Sequence, residues 1–171
     1  MIKQDLLENR VKLSYLALGS NLGNKFINLE KAKFELEKYE IKIIKCSNNF
    51  LSESWPDLSK PKYVNSVLEI KTNLSEIELL RKCHLIEHKL GRVRSRKNDP
   101  RSCDIDILDY DQMIIKTKTL ILPHPRMCKR NFVLLPLFEI NKSWKHPESK
   151  INIVKLINSL PIKDLRSIKQ I

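Results

Sequence analysis

Two aspartates alternate with isoleucines in the segment Asp104-Ile105-Asp106-Ile107. In a β-strand alternate side chains share one face, so Asp104 and Asp106 would point the same way, with Cα atoms roughly 6.5–7 Å apart. Adjacent carboxylates repel unless a cation lies between them, and hard oxygen ligands suit Mg²⁺, which completes its shell with water and phosphate oxygens. Taken alone, the pattern is more typical of a solvated acidic strand edge than of a metal site.

A basic loop precedes the two aspartates and changes that interpretation. Arg101 stands three residues before Asp104. Four further basic residues occupy the same loop: Arg92, Arg94, Arg96 and Lys97. Surface salt bridges contribute only about 0–1 kcal/mol, so neutralising two acids gives little reason for five cations. A carboxylate-bound metal surrounded by arginines is what phosphoryl transfer needs, so the combination predicts a site for a ligand with several negative charges.

Other residues could contribute to such a site. His124 lies between two prolines; it could donate to a phosphate or act as an acid, and it could equally be a turn histidine with a satisfied hydrogen bond. Tyr63 and Asn65 share one face of a predicted strand, and Phe132 is an aromatic residue in a later segment. Two rings and an amide could clamp a flat heterocycle, although such aromatics more often belong to a core.

A competing metal pattern lies in the segment from His84 to His88. It reads His-x-x-Glu-His, as in inverted zinc peptidases, and the two histidines would lie one helical turn apart. The helix is short and the chain is small for a protease cleft. We therefore expect a polar helix face, with Glu87 lining a nucleotide site.

Hydrophobic periodicity and turn signals predict the elements that position these residues. The predicted strands are 13–18, 41–46, 63–70 and 103–108, with an extended piece at 120–122 and a long loop at 47–62. The predicted helices are 25–40, a helix between the Ser75–Glu78 capping box and Gly91, and a short helix with the stripe Ile151, Val154, Ile157 and Leu160. Residues 132–140 are apolar with mixed signals. The order β-α-β-β-α-β predicts a ferredoxin-like α+β sandwich, a mainly antiparallel sheet with helices packed on one face.

Length and composition favour one globular domain. The 171 residues are 42% apolar and 30% charged, which excludes wholly disordered and collagen-like classes. We expect a polar extension at 1–12 and a single domain at 13–171. No apolar run approaches the length of a membrane span, and the start of the chain lacks a secretory signal. The four cysteines are far apart and form no CxxC pair, which indicates free thiols in a reducing cytoplasm.

The net charge of +12 raises the alternative of a nucleic-acid-binding module. Its lysines are scattered, however, which is typical of solvated faces. The RNP1 pattern of RNA-binding sheets is absent, and Tyr63 has no aromatic partner two residues away on its strand. We therefore expect no nucleic-acid partner. An ordinary kinase or nucleotidyl transferase acting on a small acceptor remains a second alternative.

Considered together, these segments resemble the 6-hydroxymethyl-7,8-dihydropterin pyrophosphokinase family of folate biosynthesis. The resemblance covers about residues 13–140 and is carried by several short motifs in order. These are Tyr15-Leu16-Ala17-Leu18-Gly19-Ser20-Asn21-Leu22-Gly23, Tyr63-Val64-Asn65, Gly91-Arg92-Val93-Arg94, Pro100-Arg101-Ser102-Cys103-Asp104-Ile105-Asp106-Ile107, and Pro123-His124-Pro125-Arg126 with Arg130 and Phe132. Each motif alone is weak, but their order and spacing together are specific.

The resemblance implies transfer of the β,γ-diphosphate of ATP to the pterin hydroxymethyl oxygen, with release of AMP. It implies two Mg²⁺ ions held by Asp104 and Asp106, with Arg94 in a mobile loop and Glu87 near the nucleotide. It implies phosphate contacts from four residues: Arg92, Arg101, His124 and Arg130. It also implies a pterin sandwiched between Tyr63 and Phe132 and hydrogen-bonded to Asn65.

The chain departs from the family's usual pattern in three places. One is Thr119, which stands where a basic residue is common, with Lys118 adjacent; the other two are in loops. Asn98-Asp99 stands where a Trp-Gly pair is common, and the loop is one residue shorter. Ser52-Glu53-Ser54-Trp55 replaces a Thr-x-Pro-type segment, and we expect Ser52 and Trp55 to contact the pterin instead. The partners that the resemblance implies are small molecules, and we expect a monomer with no membrane contact.

Overall fold

The computed structural model of the chain describes residues 10–54, 57–92 and 99–171. Five residues that the sequence analysis singled out lie outside these ranges: Trp55, Arg94, Arg96, Lys97 and Asn98. Most of the predicted extension at 1–12 also lies outside them. The elements are β1 (Lys12–Ser20), α1 (Lys25–Glu37), β2 (Lys42–Cys46), β3 (Phe50–Ser52), β4 (Tyr63–Thr72), α2 (Glu76–Lys89), β5 (Asp104–Tyr110), β6 (Ile115–Lys116), β7 (Ile121–Leu122), α3 (Asn131–Ile140), α4 (Ile153–Asn158), α5 (Ile162–Arg166) and β8 (Lys169–Gln170).

The main sheet is antiparallel, with β1 between β4 and β5. Strands β2 and β3 pair with successive parts of β4, and β8 adds to the free edge of β3. The spatial order of β5, β1, β4 and β2 is that of a β-α-β-β-α-β ferredoxin-like unit. The predicted fold class is therefore confirmed.

Helices cover both faces of this sheet, so the expectation of helices on one face is wrong. On one face, Leu16 and Leu18 of β1 pack in a core with residues of α1 and α2. On the other face, Tyr15 of β1 packs in a second core with Val133 of α3 and Ile153 of α4. The physical reason is that β1 is apolar on both sides, and a strand of that kind must be covered twice.

Helix α2 begins and ends where the sequence predicts. The Ser75 hydroxyl accepts from the Glu78 backbone N–H, and the Glu78 carboxylate accepts from the Ser75 N–H, which completes the capping box. Gly91 follows the helix with φ of +83°, a conformation that glycine adopts without a Cβ clash. The helix is thereby fixed in register, which sets the position of Glu87 near its end.

The structure corrects several local predictions. The predicted loop at 47–62 contains β3, and the apolar segment at 132–140 belongs to helix α3 although it includes Pro136. The predicted stripe of the last helix is correct in half of its residues. Leu160 is buried and Ile157 packs against the second core, as predicted. Ile151 and Val154 are exposed, and Ile153 and Leu156 are buried instead. A helix this short contains too few turns for apolar spacing to define its buried face. Beyond Pro161 lie α5 and β8, which the sequence did not predict.

The structure contains no helix, in the parts of the chain it describes, with the length and apolar character needed to traverse a bilayer. All four cysteines carry free thiols, as expected. Cys83 and Cys103 are fully buried, and burial raises the pKa of the Cys103 thiol to about 12. These thiols are therefore protonated members of the core, and a low-pKa nucleophile is not among them.

Candidate active site

Three neighbouring strands bring the predicted site residues to one end of the sheet. In the antiparallel register, Gly19 of β1 lies opposite Asn65 of β4 and Asp104 of β5. Asp106 lies opposite Ala17, two residues further along the same face. The intervening Ile105 is buried in the core on the opposite face. The alternation of β5 therefore places both aspartates side by side, as the sequence predicts.

Two arginines contact the carboxylate of Asp104. Arg92 Nη1 lies 2.6 Å from Asp104 Oδ1, and Arg101 Nη1 lies 3.2 Å from Asp104 Oδ2. Burial alone would lower the pKa of Arg101, but the negative charge of Asp104, with a smaller effect of the nearby Tyr63, raises it overall. Arg92 follows α2, Arg101 precedes β5 and Tyr63 begins β4, so the fold brings these groups together from three separate segments.

Glu87 is buried beneath this cluster. Its side chain is 3% exposed, and Oε1 accepts from the Ile105 backbone N–H at 2.8 Å and from Arg92. It therefore joins the end of α2 to β5 and holds the Arg92 guanidinium against the strand that carries the aspartates. Glu87 thus supports the cluster from beneath, and its place near the nucleotide stays a prediction.

Asp106 has a second pair of basic partners. Arg130 Nη1 lies 3.2 Å from Asp106 Oδ2, and His124 Nε2 lies 3.7 Å from the same oxygen. Burial lowers the pKa of His124 against the opposing attraction of Asp106, so the ring is neutral near pH 7. The Arg126 backbone N–H donates to His124 Nδ1 at 3.2 Å. The proton of the neutral ring is therefore on Nε2, where it points toward Asp106 and can be donated to an anionic ligand.

The formal charges of these described residues cancel. The guanidinium groups of Arg92, Arg101 and Arg130 face the carboxylates of three acidic residues, Asp104, Asp106 and Glu87. A triphosphate brings several negative charges to such a neutral site. A divalent cation bound with it would offset them.

The donor set at this site fits Mg²⁺. The side chains of Asp104 and Asp106 are 27% and 36% exposed, so their oxygens can be reached from one face of the sheet. Mg²⁺ in proteins is commonly held by one or two carboxylates together with water and phosphate oxygens. Within the described ranges, no three His, Cys, Asp or Glu side chains are grouped to bind a metal. An ion here would therefore depend on oxygens of the substrate.

An amide and a tyrosine lie on the other side of Gly19. Asn65 is buried, and its Nδ2 donates to Ser52 Oγ at 2.9 Å. The Ser52 hydroxyl is itself buried, so it orients the amide, and the expected direct contact of Ser52 with a substrate is corrected to this role. The Tyr63 hydroxyl lies close enough to Arg101 and Asp104 for its pKa to respond to both, although burial is the main cause of its raised value.

Gly19 forms the floor between the two halves of the site. A Cβ added there would lie 3.2 Å from Asn65 Oδ1, 3.5 Å from Tyr63 Cδ1 and 3.8 Å from Asp104 Cβ. The missing side chain therefore leaves a recess between the amide and the aspartates. A flat ring hydrogen-bonded to Asn65 could extend through that recess toward the carboxylates of Asp104 and Asp106.

Phe132 lies in the first turn of α3, next to Arg130. The Arg130 guanidinium carbon is 5.4 Å from the centre of the Phe132 ring, within the range of a cation–π contact. The ring therefore helps to orient the arginine that contacts Asp106. The sandwich of a heterocycle between Tyr63 and Phe132 stays a prediction.

Asn21 is a positioning residue to which the sequence analysis assigned no role. Its Oδ1 accepts from the Arg101 backbone N–H at 2.7 Å, and its backbone N–H donates to the Arg101 carbonyl at 3.1 Å. Its Nδ2 donates to the Pro61 carbonyl at 3.2 Å. Asn21 thus ties the end of β1 to the segments before β4 and β5. The Gly-Ser-Asn turn signal could have indicated it, because asparagine side chains often bond backbone groups in turns.

The zinc-peptidase pattern does not form a site. His84 and His88 are exposed on α2, whereas Glu87 points into the protein and contacts Ile105 and Arg92. A zinc site would need both histidines and a glutamate that can reach bound water. This geometry excludes the peptidase interpretation.

The comparison with protein families agrees with the geometry. The model of the 7,8-dihydro-6-hydroxymethylpterin-pyrophosphokinase (HPPK) family matches residues 15–142. The chain belongs to this family. Every candidate site residue described above lies within the matched range.

Individual relatives of this HPPK chain fall into two groups. A 2-amino-4-hydroxy-6-hydroxymethyldihydropteridine pyrophosphokinase of Aquifex aeolicus is 41% identical over 133 residues, which cover 78% of this chain and 82% of the relative. Folic acid synthesis protein fol1 of Schizosaccharomyces pombe is 33% identical over 156 residues, which cover 91% of this chain. The chain spans only 21% of that longer protein.

Solved structures confirm the HPPK fold. A Plasmodium falciparum HPPK-DHPS, solved with pterin and p-hydroxybenzoate, matches with a TM-score of 0.73 at 14% identity. The match covers 95% of this chain and 48% of that one. At this level of identity the likeness establishes the fold alone.

Proposed function

We propose that this chain transfers the β,γ-diphosphate of ATP to the hydroxyl group of 6-hydroxymethyl-7,8-dihydropterin, giving AMP and the pterin diphosphate. The observation that carries the proposal is that two groups of side chains lie on either side of Gly19, in a chain of the HPPK family. One half has paired carboxylates with four basic side chains, and the other has a buried, oriented amide.

The basic side chains bind and orient the triphosphate. Arg92, Arg101 and Arg130 supply charged donors from two sides, and neutral His124 supplies an Nε2–H. These groups stabilise charge that develops on the transferred diphosphate and on the departing AMP. Mg²⁺ bound by Asp104 and Asp106 would neutralise phosphate charge and fix the reacting phosphorus.

The amide half of the site orients the acceptor. The amide Nδ2 of Asn65 is occupied by Ser52, so its Oδ1 above Gly19 is the atom that can accept from a ring N–H of a pterin. A ring held there directs its hydroxymethyl group along the sheet toward Asp104. Holding the two substrates in line supplies much of the rate in a transfer of this type, and no covalent enzyme intermediate is required.

Product analysis tests the proposal. The purified chain is incubated with ATP, Mg²⁺ and the pterin alcohol, and nucleotide and pterin products are separated. AMP together with a diphosphorylated pterin supports it, and both should be lost when Mg²⁺ is chelated. ADP with a monophosphorylated pterin would favour the simple kinase. Salt-sensitive RNA binding without ATP turnover would favour the nucleic-acid module. The monomeric state and the cytoplasmic location stay predictions.

A further inference from the structure

Asn131 lies between two residues of the candidate site and is held by a distant segment. Its Nδ2 donates to the Asp164 carbonyl at 2.5 Å and to Ser167 Oγ at 3.2 Å. Its Oδ1 accepts from the Phe132 backbone N–H at 2.7 Å. The side chain therefore joins the residues around α5 to the turn that carries Arg130 and Phe132.

The same segment contacts the acceptor half of the site through β8. Lys169 and Gln170 pair with Leu51 and Phe50 of β3, and the backbone N–H of Ile171 donates to the Asn49 carbonyl at 2.9 Å. On its other edge β3 pairs with β4, where Ser52 lies opposite Tyr63 and accepts from Asn65. Strand β3 has three residues and lies between β4 and β8. Because it is so short, its position depends on pairing with both neighbours.

We propose that residues 161–171 position both halves of the active site, one through Asn131 and the other through β8 and β3. The inference rests on the proposed function and adds positioning residues to it. The segment lies outside residues 15–142, the range that the family model matches. Asn131 and Ser52 are positioning residues in this scheme, because they act through Arg130, Phe132 and Asn65.

Burial supports a positioning role over a purely structural one. Helix α5 has no buried residue, and both residues of β8 are exposed. Leu165 of α5 packs partly buried against the second core, but without a fully buried side chain the segment adds little of the apolar burial that is the main stabilising term in folding. Its contacts are directed hydrogen bonds to two elements of the site, which is what restrains orientation.

Two variants test the two ties separately. A variant that ends at Ser167 lacks β8 and keeps α5. Asn131→Asp keeps an oxygen for the Phe132 N–H and loses both donors to the segment. Asn152→Ala is the matched control, because the Asn152 side chain caps α4 by accepting from Lys155 N–H and its loss destabilises a helix away from the site.

The variants should differ in which substrate they affect. Without β8, KM for the pterin should rise about 5- to 20-fold while the dissociation constant of an ATP analogue stays unchanged, since one or two hydrogen bonds are lost. Asn131→Asp should lower kcat by a similar factor, because Arg130 faces the phosphates. Asn152→Ala should leave both parameters unchanged. Wild-type KM and kcat in either of the first two variants would overturn the inference, as would an equal change in Asn152→Ala.

Amide hydrogen exchange separates this inference from the proposed function. We expect faster exchange than in Asn152→Ala at residues 50–52 of the variant without β8 and at residues 130–133 of Asn131→Asp. This result does not depend on whether the chain turns over ATP. Failure of the wild type to form AMP would count against the proposed function alone. Unchanged exchange in both variants would overturn the positioning role.

Discussion

Gly19 and Asn65 lie opposite each other on β1 and β4, and a Cβ at Gly19 would be 3.2 Å from Asn65 Oδ1. Contacts this short force one partner to move. Because Asn65 is held by Ser52, the amide is not free to turn away without losing that hydrogen bond. The recess above Gly19 is therefore a requirement for presenting the amide oxygen.

Gly19→Ala should weaken binding of the pterin acceptor and leave binding of the nucleotide unchanged. We expect KM for the pterin alcohol to rise about 10- to 100-fold, the range for one added methylene in a fitted pocket. The added methyl would make an ordinary contact, 3.8 Å, with Asp104 Cβ, so affinity for an ATP analogue should not change. Steady-state kinetics and calorimetry measure the two effects. An equal loss of both affinities would contradict the claim that the recess above Gly19 serves the pterin.

The buried position of Glu87 predicts a large effect on stability. Glu87→Ala removes the acceptor for Ile105 N–H and leaves Arg92 without a buried partner. Breaking a buried ion pair on one side costs about 3–5 kcal/mol in the free energy of unfolding. Glu87→Gln keeps an oxygen for Ile105 and should lose less. Denaturant unfolding of the two variants checks this order, and equal, small losses would show that Glu87 does not support β5.

His124 predicts a pH dependence of stability. Burial lowers its pKa in the folded chain, so the unfolded chain takes up the proton first as the pH falls below about 6.5. The free energy of unfolding should therefore decrease progressively as the pH falls below that value. The pKa of His146 is also lowered by burial, so it contributes a second part of the slope.

Unfolding free energies between pH 7.5 and 5 separate the two histidines. His124→Gln and His146→Gln should each flatten the decline, and the double variant should flatten it further. A slope that steepens in His124→Gln would show that the folded state prefers the charged ring. The sign of the linkage would then be opposite to the one inferred from burial.

The paired aspartates should be essential for turnover and dispensable for folding. Asp104→Ala or Asp106→Ala should reduce kcat by about 100-fold or more, because each removes a carboxylate that would hold the metal and that contacts a neighbouring arginine. Glu30→Gln is the control, since Glu30 is exposed on α1 and pairs there with Lys33. Near-normal turnover in either aspartate variant, with unchanged circular dichroism, would refute the metal assignment.

Features with a local cause were predictable from the sequence. The common face of Asp104 and Asp106 follows from strand alternation, and the start of α2 follows from the capping box. The position of Glu87 was not predictable, because its partners Ile105 and Arg92 come from outside the helix. A charged residue next to an apolar stripe gives no sign of whether it is paired.

Short elements held by distant partners also escaped prediction. Strands β3 and β8 have three and two residues, too few for a periodic pattern, and each exists because its backbone groups pair with another strand. Ser52 was therefore expected to face a substrate in an open loop, whereas it lies buried against Asn65. Helix α3 was obscured by Pro136, which tertiary packing tolerates.

A structure of the chain crystallised with Mg²⁺ and a non-hydrolysable ATP analogue tests the central claim most directly. The account predicts metal density between the analogue's phosphates and the carboxylates of Asp104 and Asp106. The β- and γ-phosphates should lie within hydrogen-bond distance of Arg92, Arg101, His124 or Arg130. A triphosphate bound elsewhere, with Asp104 still paired to Arg92 and Arg101 and Asp106 still paired to Arg130, would contradict it.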